Sequence, residues 1–253
     1  EPFRRLSIVR KPRQTTCLGP LRSRRQAEAV RDAIHDAVPL RQCTDRLSLR
    51  RAVRAACALA GIGRCAAPCE GGATPAEYAD LVSMVASAWT DDVRPLIAPL
   101  ERKLSDLAGK QRYEHAADVR DRITSVVRAC ARMQRLRAIV DIDELVAARA
   151  DGEGGWEIAV VRRGRLAASG CAARGVAPWA VIEALLATAD VVDADHPVLT
   201  EETECVLRWL EQPGTRLVHA SQPWSLPARG AGGMVSWLAA DTAGRAATPF
   251  GSG

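Results

Sequence analysis

Gly61-Ile62-Gly63-Arg64-Cys65-Ala66-Ala67-Pro68-Cys69 is the stretch on which the fold of this chain turns. It holds two cysteines with three residues between them, and Cys57 and Cys43 precede them with seven and thirteen residues between successive cysteines. Gly61, Gly63 and Pro68 let a backbone turn tightly. Four thiolates so spaced can close around one metal centre. Zinc sites usually offer two short Cys-x2-4-Cys pairs, and only Cys65 with Cys69 makes one. Irregular gaps suit an iron–sulfur cluster at least as well, so iron–sulfur, zinc and no metal all stay open on spacing alone. Arg41, Arg46 and Arg64 lie nearby and are expected to favour deprotonated sulfur.

Working outward, 253 residues allow one large domain or two to three small ones. Apolar residues make up 47%, enough for cores, while Phe and Tyr occur only twice each. No run of about 18 apolar residues suggests a membrane span, and no secretory leader is visible near the start. A reducing, cytoplasmic setting is therefore expected, where clustered cysteines favour metal over disulfides. The scattered Cys17, Cys130, Cys171 and Cys205 read as small buried hydrophobes or idle thiols. The chain opens on Glu1-Pro2-Phe3-Arg4-Arg5 and reads as a piece of something longer.

Net charge is +5, unevenly spread: residues 1–70 carry 15 Lys and Arg against 6 Asp and Glu. A basic front and acidic back point to a polyanion at one end. Arg22, Arg24, Arg25, Arg41, Arg46 and Arg64 are the candidate DNA contacts. Guanidinium forks match phosphate oxygens, and such contacts position a protein without reading bases.

The patterning predicts a short strand over residues 3–10, a turn at Gly19-Pro20, and a helix from Arg24 to Ala37 capped by Ser23. A helix from Leu47 to Leu59 is expected within the cysteine segment. Thr74-Pro75 with Glu77 is a capping box opening another helix. Leu96, Leu100, Leu104 and Leu107, then Tyr113, Ala116, Ile123 and Val127, predict a helical hairpin broken at Gly109-Lys110-Gln111. Beyond Ile139 the register changes: a β-hairpin over 156–169 with a packing role, helices over 178–189 and 201–210, and a strand at Leu217-Val218-His219. Residues 225–253, rich in Gly, Ala and Pro, read as a flexible tail. His196 and His219 are isolated and carry no catalytic pattern.

Several of these stretches together resemble one family, the UvrC excinucleases. Gly61 to Cys69 looks like the Ile-Gly-Arg-Cys-x-Ala-Pro-Cys motif of UvrC. Pro39-Leu40-Arg41-Gln42-Cys43 is similar to its Pro-Leu-Arg-x-Cys segment. Gly19-Pro20 followed by Ala27-Glu28-Ala29-Val30-Arg31 looks like its Gly-Pro turn and helix, and Tyr113-Glu114-His115-Ala116-Ala117-Asp118-Val119-Arg120-Asp121-Arg122-Ile123 is similar to its UVR motif. The resemblance covers residues 1–138 well and 139–224 faintly.

It implies a 4Fe-4S cluster on Cys43, Cys57, Cys65 and Cys69, with zinc the alternative, in a nucleotide excision repair nuclease. DNA and a UvrB-like subunit are the implied partners, the latter docking on Tyr113, Glu114, Ala117, Arg120 and Asp121, and no membrane is involved. The family's nuclease centres, a GIY-YIG domain using a divalent metal and an RNase H-like domain, have no matching motifs here, so no catalytic residue is assigned. Relatives in actinobacteria carry a DEDD exonuclease upstream, and this chain would suit the C-terminal portion of one.

The expected class is mainly α with a small α/β C-terminal unit, a cysteine-cluster module followed by a UVR-type hairpin. The expected segments are 1–37, the end of a GIY-YIG-like domain; 38–74, the cysteine module; 75–94, a helical connector; 95–138, the hairpin; 139–224, the α/β domain; and 225–253, the tail. A non-enzymatic adaptor or a zinc-binding DNA module are the alternative roles.

Overall fold

The structure, a computed structural model, describes residues 2–10, 17–45, 47, 57–193 and 200–234. They are mainly helical, with one four-stranded antiparallel sheet in the C-terminal half. Two compact units divide the chain, one of residues 1–134 and 227–253, the other of residues 135–226.

In the first unit α1 (Arg24–Ala37) begins at Ser23, whose hydroxyl accepts from the Gln26 N–H at 3.1 Å. That satisfies one of the donors every helix start leaves open. Val30, Ala33 and Ile34 form its buried stripe. After the short α2 (Ala58–Gly61), α3 (Pro75–Thr90) opens on the anticipated capping box. The Thr74 hydroxyl accepts from the Glu77 N–H at 3.3 Å, and the Glu77 carboxylate accepts from the Thr74 N–H at 2.8 Å.

α4 (Arg94–Gly109) and α5 (Tyr113–Val140) are joined by a three-residue turn with Gln111 at φ 56°. Leu96, Ile97 and Leu100 of α4 and Val119, Ile123, Val126 and Val127 of α5 enter the same core as α1 and α3. Residues 1–134 thus share one hydrophobic cluster, where the sequence suggests four modules. Helices in proteins draw most of their stability from packing an apolar face, and gathering these stripes buries all of them at once.

Two local expectations change. Residues 3–10 form no strand. Phe3 instead packs edge-on against Tyr78, ring centroids 5.4 Å apart. The proposed tail begins as packed structure: Ala231 is fully buried, and its N–H donates to Gln134 Oε1 at 2.8 Å. Gly and Ala lose little side-chain entropy on packing, so a composition that reads as loose can still lie flat on a core. Residues 235–253, and residues 48–56 of the helix expected over 47–59, lie outside the described residues.

The second unit holds β1 (Leu145–Ala150), β2 (Trp156–Arg162), β3 (Arg165–Ala172), α6 (Pro178–Thr188), α7 (Thr200–Leu210) and β4 (Thr215–Ala220). Strand order is β3-β2-β1-β4, every neighbouring pair antiparallel. Arg163 and Gly164 both take positive φ, 49° and 76°, the two-residue turn whose twist matches its strands. A Cβ on Gly164 would sit 2.9 Å from Val140 Cγ2, so this position requires glycine. Leu145 and Ala147 cluster with Val206, Leu207 and Leu210 of α7, while Val146 and Ala148 cluster with Ile182 of α6. The two helices therefore cover opposite faces of the sheet.

Tyr78 ties the first unit together. Fully buried on α3, its hydroxyl accepts from the Arg41 N–H at 2.9 Å and donates to the Arg4 carbonyl at 2.8 Å. Replacing Tyr78 by Phe strands the buried Arg41 N–H and is expected to destabilise this unit by about 1–3 kcal/mol in chemical denaturation. A loss within error of zero would mean water replaces the hydroxyl.

Candidate metal centre and nucleic-acid interface

The cysteine segment is built as a chain of turns. Cys57 stands just before α2, the Arg64 N–H closes on the Leu59 carbonyl at 2.8 Å, and the Glu70 and Gly72 N–H groups both reach the Ala67 carbonyl at 3.0 Å. A Cβ on Gly72 would lie 2.9 Å from the Ala66 carbonyl oxygen, which explains a glycine there. The Ala66 N–H donates to the Pro39 carbonyl at 2.8 Å. This bond mounts the Cys65–Cys69 turn on the segment leading to Cys43.

All four cysteines are free thiols, Cys43 and Cys57 exposed, Cys65 and Cys69 partly buried. Burial pushes the Cys65 thiol up, the Ala67 backbone opposes it, and Cys57, Cys69 and Cys43 push it further. Cys69 is also raised, by burial first and then by Glu70. The arginines nearby in sequence suggest thiolate, but here burial and like neighbours dominate. The Cys65 and Cys69 thiols thus each feel Cys43 and Cys57. Yet among the described residues no three metal-ligating side chains converge tightly enough to hold an ion. The donor set has the chemistry of a thiolate-bound metal, and among the described residues its convergence is incomplete. Of the scattered cysteines, Cys130 is buried and pushed up to about 12, an inert thiol.

Arg41 and Arg64, alike in sequence, are used differently. Arg41 is 1% exposed; its Nε donates to the Phe3 carbonyl at 2.6 Å and its Nη1 to the Asp45 carbonyl at 2.6 Å and the Cys43 carbonyl at 3.3 Å. The same nitrogen lies 3.7 Å from Cys43 Sγ. Arg41 therefore shapes the cysteine loop and is not a surface contact for phosphate, which corrects its assignment to the DNA-binding set. Arg64 stays half exposed and pairs with Asp36. Arg22, Arg24 and Arg25 are exposed at the start of α1, Arg24 bonding Glu28 at 2.9 Å. Arg46 lies outside the described residues.

Residues 1–88 match the family described as UvrC/Cho excinuclease, middle domain. A protein of Mycobacterium tuberculosis, provisionally named a bifunctional exonuclease/endonuclease, is 36% identical over 248 residues, 94% of this chain and 38% of that protein. The UvrABC system protein C of Geobacter metallireducens is 30% identical over 171 residues, and that of Chlorobium phaeobacteroides 27% over 175, each over 67% of this chain and 28% of the relative. The chain belongs to the UvrC-like family. It spans 38% or less of the length of these relatives. No solved structure matches it.

For this UvrC-like chain the match treats residues 1–88 as a single family domain. Residues 1–37, expected as the end of a GIY-YIG-like domain, lie together with the cysteine segment inside that match. Of the expected docking residues, Tyr113 is 67% exposed where α5 begins, Glu114 and Asp121 are exposed, and Ala117 and Arg120 are half-buried. Leu96, Ile97 and Leu100 of α4 are core. His219 is exposed on β4, and His196 lies outside the described residues. Among the described residues no helix is long and apolar enough to cross a membrane.

Sequence reasoning passed over Asp36 and His35. The only signal for them was polar residues between the apolar Ile34 and Val38 on a buried face. His35 is 6% exposed with no partner on Nδ1, and its pKa is lowered, first by burial and then by Arg31 and Arg64, against Asp32 and Asp36. The unfolded chain then takes up the proton first, so stability falls as pH drops below about 6.5. His35→Leu is expected to flatten thermal stability between about pH 5 and 6.5 relative to wild type. Parallel pH profiles for the two proteins would assign the effect elsewhere.

Proposed function

We propose that this chain is the DNA-binding and partner-docking part of a UvrC-like nucleotide excision repair nuclease, whose intact form hydrolyses DNA phosphodiesters at divalent metal ions. Family membership, by motifs that occur here in the family's order, carries this reading. The basic surplus of residues 1–70 and the exposed arginines at the start of α1 support it.

In this reading Cys43, Cys57, Cys65 and Cys69 hold an iron–sulfur cluster of the 4Fe-4S type. Bound there, the cluster supplies a cross-link between segments otherwise joined by the Pro39–Ala66 hydrogen bond and the Arg41 contacts. The role is structural, since phosphodiester hydrolysis moves no electrons. Arg41 holds the Cys43 backbone, and Pro39 anchors the Cys65–Cys69 turn. The exposed arginines engage phosphate oxygens and set the register of the duplex.

The helical pair α4–α5 would dock a UvrB-like subunit at the α5 start, where Tyr113 offers an aromatic ring to a partner. That exposed ring also favours a second reading, an adaptor that captures a UvrB-like subunit while DNA contact is incidental. A pull-down with UvrB run beside a DNA mobility shift separates the two.

The decisive measurement is salt-dependent DNA binding. The logarithm of affinity for duplex DNA is expected to fall linearly with log salt, about 0.9 units of slope per phosphate neutralised. A flat response would remove DNA from the proposal. Anaerobically purified protein is expected to be brown and to hold iron and sulfide. Cys65→Ser should lose both, together with protease resistance over residues 40–75. Colourless protein holding zinc would favour the zinc alternative, and metal-free protein of full protease resistance would end the cluster assignment.

A further inference from the structure

Asp36 is the penultimate residue of α1, where the helix carbonyls already place partial negative charge. Its carboxylate is 1% exposed and accepts from three cations: Arg64 of the cysteine loop, Lys103 of α4 at 3.3 Å, and Arg122 of α5. Each offers Asp36 one nitrogen, Nη2, Nζ and Nη1 respectively. Their side chains remain 45%, 45% and 38% exposed.

Three positive charges thus gather on one negative charge that solvent scarcely reaches. An Arg carries five donors and a Lys three, so most of their hydrogen-bonding capacity is left over beyond Asp36. Like charges drawn together repel, and an incoming anion relieves that repulsion while using the spare donors. The surrounding sequence says which anion. The surplus of basic residues continues through residues 1–70, which suits a ligand with repeating negative charge better than one with a single phosphate.

We propose that Arg64, Lys103 and Arg122, gathered on Asp36, form a phosphate-backbone site for duplex DNA. The site extends the DNA-binding reading above, on which it rests, to two cations outside the basic N-terminal segment. Asp36 acts as a positioning residue, holding side chains from three segments at one point on the surface. Guanidinium forks from Arg64 and Arg122 grip phosphate oxygens, and Lys103 adds a point charge.

The test uses the full chain and a fluorescein-labelled duplex of random sequence, with affinity followed by anisotropy from about 50 to 200 mM salt. The double variant Lys103→Gln/Arg122→Gln is expected to bind more weakly and to lose about 2 units of salt slope. Lys110→Gln, at the α4–α5 turn, should leave the slope near wild type. Thermal melts check folding. Should the double variant unfold, Lys103→Gln alone is expected to lose about 1 unit. A wild-type slope retained by folded variants overturns this site and leaves DNA binding intact. A flat wild-type response overturns both.

Discussion

A guanidinium taken out of water must find its hydrogen bonds in the protein, because a buried charge without partners costs several kcal/mol, on the order of a whole domain's margin. Arg41 meets that requirement with carbonyls from Phe3, Cys43 and Asp45. Its own N–H is taken by Tyr78. One residue thereby fixes the N-terminal segment, the approach to Cys43, and α3 relative to one another. Carbonyls at such different points in the sequence meet only if the chain folds as it does. The fork geometry also explains why arginine serves here: a lysine ammonium is a single point and could not span the same spread of acceptors.

Asp36 applies the same logic from the opposite sign. Buried at the end of α1, it is stabilised by cations brought from the cysteine loop and from both α4 and α5. The cysteine loop is therefore held at Pro39 by a backbone bond and at Asp36 by charge. The start of α1 tells a different story. No acidic residue lies in its first turn, and Arg24 and Arg25 stand where the helix dipole disfavours positive charge. The i,i+4 pair of Arg24 with Glu28 offsets part of that cost.

The parts of the fold governed by neighbours in sequence were legible. Ser23, the Thr74–Glu77 capping box and the break after Gly109 marked helix ends because caps and breakers act within a few residues. β1 was not legible: Leu145-Val146-Ala147-Ala148-Arg149-Ala150 is buried on both faces over most of its length and so shows no alternation, and alanine favours helix. Nor was the division into units. Caps and periodicity find helices, but only the sharing of Val30, Leu40, Tyr78 and Ile123 in one cluster reveals that four segments are one body.

The candidate site divides along the same line. Cysteine spacing singled out Cys43, Cys57, Cys65 and Cys69; in the fold the Cys65 thiol feels the other three, and among the described residues no three ligands converge on an ion. Spacing could not say that burial would outweigh the arginines in setting the Cys65 thiol, since that depends on how much protein surrounds the sulfur. It also could not sort the arginines. Arg41 and Arg64 flank cysteines in equally polar-looking sequence, yet one is sealed against carbonyls and the other stands half in water on a carboxylate. Composition measures how much positive charge a segment carries. Which of those charges remains available to a partner is decided by the acceptors the fold has already assigned to them.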